Sequence, residues 1–128
     1  MEAELHDIAT RRDVERLVQT FYEEVNRDEL LSPVFNQVAT VDWEKHLPVM
    51  YDFWSSVLFG EMSYKGNPFL KHIPLPVNAV HFSRWLQLFT ATVAALFTGP
   101  KAEEAKQRAA SIAGIFQYKL EQIRPPAG

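Results

Sequence analysis

Apolar residues return every three or four positions between residues 11 and 27: Val14, Leu17, Val18, Phe21, Tyr22 and Val25. That spacing predicts an amphipathic helix with these six side chains on its buried face. Thr10 and Asp13 stand where a capping box would start it, with Asp in place of the usual Glu. Asn26, Arg27 and Asp28 mark its end. Ser32-Pro33 predicts a turn that presents Phe35. Asp42 is placed to cap a second helix over 43–59, whose apolar positions are Leu47, Met50, Trp54, Val57 and Leu58. His46 falls on the side of Met50 and Phe53. Pro48 is expected to cost this helix little, as a residue of its first turns. Two further helices are predicted over 77–97 and 101–123, separated by Gly99-Pro100. His81, Trp85, Leu88, Phe89, Thr92 and Leu96 mark the buried stripe of the former. Ala105, Ala109, Ile112, Ala113, Phe116 and Leu120 mark the inner face of the latter, where the small alanines allow close packing.

The pattern breaks once, between Gly60 and Pro76. A connection of this length is long for a compact domain and is usually functional or disordered. Phe69, Leu70 and Ile73 argue against disorder. The fold class expected is all-α. At 128 residues the chain is expected to form a single domain over 1–128, with a core of about 11–123 between short flexible termini.

Composition narrows the chemistry. There is no cysteine, which excludes disulfides, thiolate metal sites and thiol catalysis and fits a reducing cytoplasm. No apolar run approaches a membrane span, and the acidic N-terminal residues lack the features of a signal peptide. The formal net charge is −3, with no basic cluster, so neither nucleic acid nor membrane insertion is expected. Nine Phe, four Tyr and three Trp are enough to line a pocket for a large flat ligand, and equally enough to serve as ordinary core.

Of the four histidines, His6 is assigned to a frayed N-terminus. His46, His72 and His81 lack the short spacings of a histidine zinc site, and no Glu-x-x-His pair of a di-iron bundle occurs. A haem needs only one strong axial ligand from the protein. His72 suits that role on local grounds. Ile73 precedes Pro74 and is pushed out of helical geometry, so a turn begun at Pro68 ends near His72. The carbonyls of such a turn can accept the imidazole Nδ1–H and leave Nε2 free for a metal. The residues alone leave a semi-exposed loop histidine as an equal reading. Tyr22, Trp85, His46 and His81 likewise read either as pocket groups or as core and solvated side chains.

Taken in order, several segments resemble the truncated haemoglobins, and specifically their third, or P-type, group. They are Phe-Tyr-Glu-Glu-Val at 21–25, Pro-Val-Phe-Asn at 33–36, Trp-Glu-Lys-His at 43–46 with Phe53-Trp54, Tyr-Lys-Gly-Asn-Pro at 64–68, Lys-His-Ile-Pro-Leu-Pro at 71–76, and His-Phe-Ser-Arg-Trp-Leu-Gln-Leu-Phe at 81–89. The chain has no Gly-Gly pair of the kind found at the bends of the other two groups, which favours the third. The resemblance implies a two-over-two helical sandwich around haem b. It places the axial metal ligand at His72, the distal tyrosine at Tyr22, the distal-helix histidine at His46 and the pocket tryptophan at Trp85. Phe35 matches the wedging aromatic, Met50 the adjoining distal position, and Trp54 the tryptophan typical of the group. Phe53 is a further candidate cofactor contact, and Tyr64, Lys71, His81 and Arg84 are candidates for the propionates.

The function so implied is the binding of O2, NO and CO at a His-ligated haem, with the distal histidine able to swing and gate entry. Oxygen transport or storage is one form of it. NO dioxygenase or peroxidase-like chemistry is another, and it would require an external reductase. Outside the haem reading the alternative is a haem-free helical sensor or interaction domain.

Overall fold

The computed structural model describes residues 5–60 and 77–123. Every regular element among them is helical: α1 (Arg11–Arg27), a π-helical turn (Val34–Val38), α2 (Trp43–Phe59), α3 (Ala79–Leu96) and α4 (Pro100–Ile123).

Local chemistry sets the ends. The Thr10 hydroxyl accepts from the Asp13 N–H at 3.3 Å, and the Asp13 carboxylate accepts from the Thr10 N–H at 3.1 Å and the Ala9 N–H at 2.9 Å. The box therefore works with Asp. The Asp42 carboxylate accepts from the Glu44 N–H and starts α2. Gly60, at φ +69°, closes α2 in the left-handed conformation that glycine adopts without strain. Helix α2 runs unbroken through Pro48, but not for the reason expected. Pro48 is the sixth helical residue, beyond the four whose N–H groups lack partners, so it withholds a donor from the Glu44 carbonyl. Glu44 is exposed, and water can meet that carbonyl.

The helices form a ring of contacts. Helix α1 packs on α2 and α3, and α4 packs on α2 and α3. The six predicted positions of α1 are all buried. On α3 the fully buried residues are Phe82, Phe89, Thr92 and Val93. His81, Trp85, Leu88 and Leu96 of the predicted stripe are half-buried, a correction with a physical cause considered below. Two apolar clusters result: a large one centred on α1 with Trp54, Phe89 and Phe97, and a small one of Val34, Val77, Phe82, Ala113 and Leu120. Trp85 packs against both.

Polar ties join the helices across the sequence. Arg11 donates to Asp52 at 2.7 Å, and Gln19 donates to the Tyr51 hydroxyl at 2.8 Å, both linking α1 to α2. Lys101 of α4 donates to the Leu58 carbonyl near the end of α2. The residues before α1 are pinned rather than frayed. Ile8 is 1% exposed, the Thr98 N–H donates to the His6 carbonyl, and the Asp7 carboxylate accepts from the N–H groups of Lys101 and Ala102. Asp7 thus caps α4 from outside, a favourable place for an anion. The segment leaves no room at Gly99, where a Cβ would meet Asp7 Cγ at 2.6 Å.

Candidate functional site

A cavity of about 290 Å³ draws its walls from both apolar clusters and from all four helices. Among the described residues its lining is mainly apolar, and the polar side chains in it are Tyr22, His46, His81, Trp54 and Trp85. Part of the offset on α3 follows from this cavity. Phe89 and Val93 lie in solid core, whereas His81 and Trp85 border open space and keep part of their surface free.

One wall is built where α1 meets α2. Tyr22, in the last two turns of α1, is 5% exposed. Burial pushes its phenol well above the ordinary value, because the charged form would lose its hydration there, so Tyr22 stays a neutral O–H. His46, one turn into α2, places Nε2 3.3 Å from the Tyr22 hydroxyl oxygen. Either group can donate, according to the imidazole tautomer. Phe35, carried by the π-helical turn, stands edge-on to Tyr22 at 5.8 Å. Two residues past that turn stands Thr40, whose φ of +48° is unusual for a β-branched residue and costs of order 1–3 kcal/mol. Its neighbours Ala39 and Val41 line the cavity. Single π turns of this kind are common at functional sites.

Helix α3 supplies another wall. The Trp85 indole stacks on Phe89 at 5.6 Å and meets the edge of Phe21 at 5.7 Å. Phe89 stacks in turn on Trp54 at 4.7 Å. His81 has two partners on one residue: its Nδ1 lies 3.2 Å from both the N–H and the side-chain oxygen of Asn78, closing a capping box at the start of α3.

The structure gathers Tyr22, Phe35, His46, Met50, Phe53, His81 and Trp85 around this one cavity. Arg84 is not in its lining. Its Nε donates to the Asp28 carboxylate at 2.8 Å and its Nη1 to Gln87 at 3.3 Å. Tyr64, Lys71 and His72 lie outside the described residues. Sequence reasoning assigned no role to Trp43, although it precedes His46 by three positions and so shares its helix face. It likewise gave none to Asn36, which accepts from the Trp43 indole N–H at 2.9 Å.

A four-helix ring closed around a mainly apolar cavity, with a buried tyrosine and a half-buried histidine on one wall, is a truncated globin fold. Residues 5–116 match the bacterial-like globin family. The group 3 truncated hemoglobin of Campylobacter jejuni is 34% identical over 114 residues, or 86% of this chain and 90% of that protein. A crystal structure of group III truncated hemoglobin from the same organism superposes with a TM-score of 0.81 at 32% identity, covering 98% of this chain and 100% of that one. The chain belongs to the bacterial-like globin family, and within it to the group III truncated haemoglobins. Membership implies a haem cofactor. The residues present fit such a group, because aromatic and aliphatic walls suit a flat apolar ring and the polar atoms are few. Among the described residues no helix is long and apolar enough to cross a membrane.

Proposed function

We propose that the cavity takes haem b, held at the metal by His72, and that the protein binds O2 and other diatomic gases. The observation that carries this reading is the Tyr22 hydroxyl. It is a neutral polar group, 5% exposed in a mainly apolar cavity and hydrogen-bonded to His46. Burying a hydroxyl costs free energy unless it is partnered, and an apolar core would be served as well by Phe. A small polar ligand in the cavity gives that hydroxyl a use.

Phe35, Met50 and Phe53 would hold the ring by apolar contact, and His81 is the described candidate for a propionate, with Tyr64 and Lys71 as further ones. When bound, haem supplies an iron centre that accepts a diatomic ligand. The protein residues do the rest. Tyr22 presents a proton it does not release. The Trp85 N–H offers a further donor, held in plane by Phe89. His46 stands beside Tyr22, where its position governs the space open to a ligand. Two donors favour retention of a ligand that carries partial negative charge. Retention suits oxidation of NO to nitrate or peroxide chemistry as well as storage, and turnover would draw electrons from a separate reductase. A cytoplasmic setting accords with the cysteine-free composition.

An absorption spectrum of the purified protein after haem addition tests the reading. A Soret band that is lost or displaced in His72→Ala is the expected result. No Soret band in the wild type, or an unaltered spectrum and CO binding in His72→Ala, would overturn it.

A further inference from the structure

Trp43 and Asn36 stand immediately behind the Tyr22–His46 pair and outside the cavity lining. The Trp43 ring lies 5.1 Å from Tyr22, 5.6 Å from His46 and 5.9 Å from Phe35. Its indole N–H can only donate, so the Asn36 oxygen must face it. The Asn36 amide nitrogen then faces the other way. It donates to the Asn26 side-chain oxygen at 2.8 Å and to the carbonyl and hydroxyl oxygens of Ser32 at 3.1 and 3.2 Å. One side chain therefore ties the last turn of α1, the turn after it and the first residue of α2.

We infer that Trp43, anchored by Asn36, is a positioning residue that holds His46 against Tyr22 and thereby sets how readily a small ligand enters the cavity. The inference rests on the reading of the cavity as a ligand site. At 3.3 Å the Tyr22–His46 bond is longer than the ordinary N–H···O contact of about 2.9 Å. A bond of that length is by itself a weak restraint on an imidazole, which turns about two side-chain torsions. Among the described residues three rings surround that imidazole: Tyr22 at 5.2 Å, Trp43 at 5.6 Å and Phe35 at 6.5 Å. Trp43 is the one with a hydrogen-bonded anchor outside the cavity. It is also the first residue of α2, where a helix end would otherwise fray. Removing the anchor lets the Trp43 ring turn and gives the imidazole room to leave Tyr22.

The test uses two variants. Trp43→Phe keeps a ring and loses the N–H. Asn36→Leu removes the anchor at an exposed position and deletes no ring. Two readouts are taken: the ring resonances of His46 by NMR in the purified protein, and CO association after flash photolysis of the haem-loaded protein. The expected result is a shift of the His46 resonances in both variants and CO association quickened about fivefold, the factor that the net worth of one hydrogen bond allows. A purely structural role would lower the melting temperature and leave both readouts unchanged, which overturns the inference. Displaced His46 resonances with unchanged CO association overturn it as well. If the wild type takes up no haem, the proposed function fails, and unmoved His46 resonances would still refute positioning by Trp43.

Discussion

The Trp85 indole lies parallel to Phe89, with centroids 5.6 Å apart and planes 11° apart. Phe89 has no exposed surface, so the plane of a cavity side chain is set by the solid core behind it. Trp85→Phe can keep this stack while deleting the N–H, and Tyr22→Phe deletes the O–H with no change of ring. Each hydrogen bond to a partly charged ligand is worth roughly 1.5–3 kcal/mol. Release of O2, followed by stopped flow, should quicken about tenfold or more in each variant. Unchanged rates in both would remove these residues from ligand stabilisation.

Asp28 closes α1 and is 8% exposed. Its carboxylate accepts from the N–H groups of Leu30 and Leu31 and from Arg84, a residue of α3. Asp28→Ala strands two backbone donors and a guanidinium, and should cost about 2–4 kcal/mol in urea unfolding. Arg84 is nearly half exposed, and water replaces it, so Arg84→Ala should cost under about 1 kcal/mol. Equal losses would show that the ion pair, and not the backbone cap, is what Asp28 provides.

Acid should weaken the cap on α4. Burial tends to raise the Asp7 carboxyl, but hydrogen bonds from the backbone of Lys101, Ala102 and Ile8, with the Lys101 charge, outweigh it and hold the group below its ordinary 3.8. The native state therefore prefers the ionised form. The resulting stabilisation is complete above that ordinary value and is lost as pH falls through the lower folded value. Denaturant titrations of Asp7→Asn and wild type should differ most near neutral pH and converge below about pH 3.8.

Gly99 combines a φ of +134° with a closed space. Gly99→Ala must strain the backbone and push Asp7 off the helix end. Loss of the cap adds about 1 kcal/mol to the backbone penalty. The variant should melt well below Asp7→Ala, which loses the cap alone. Similar melting temperatures would show that the chain yields at this point.

Ser55 is fully buried on α2 and its hydroxyl has no hydrogen-bond partner among the described residues. Replacing an unpartnered buried hydroxyl with a methyl group removes a desolvation penalty. Ser55→Ala should leave stability unchanged or raise it by about 1 kcal/mol in urea unfolding. A loss above about 1 kcal/mol would reveal a bond made by that hydroxyl.

The helices of this fold were legible because their signals are local. Thr10 with Asp13, and Asp42, sit within a turn of the residues they cap, and the six apolar positions of α1 repeat at a helical period. Residues of the cavity wall were legible in type, since Tyr22, His46 and Trp85 are polar or amphipathic groups on apolar faces. What could not be read is what crosses the sequence. Arg84 looked available for a propionate because Asp28 is 56 positions away. On α3, Phe89 and Thr92 are buried as expected but His81 and Trp85 only half so, because periodicity locates an apolar face without showing which part borders a cavity. Trp43 and Asn36 meet only because a turn with i to i+5 spacing brings them together.

Asp7 meets its partners 94 and 95 positions later, on Lys101 and Ala102. During synthesis the earliest part of this strap leaves the ribosome well before the helix it caps. Helices α1 and α2 can gather locally, but the bonds from Asp7 cannot form until the start of α4 has been made. One carboxylate thus joins residues far apart in the chain, and a contact of that separation must close a long loop before it forms.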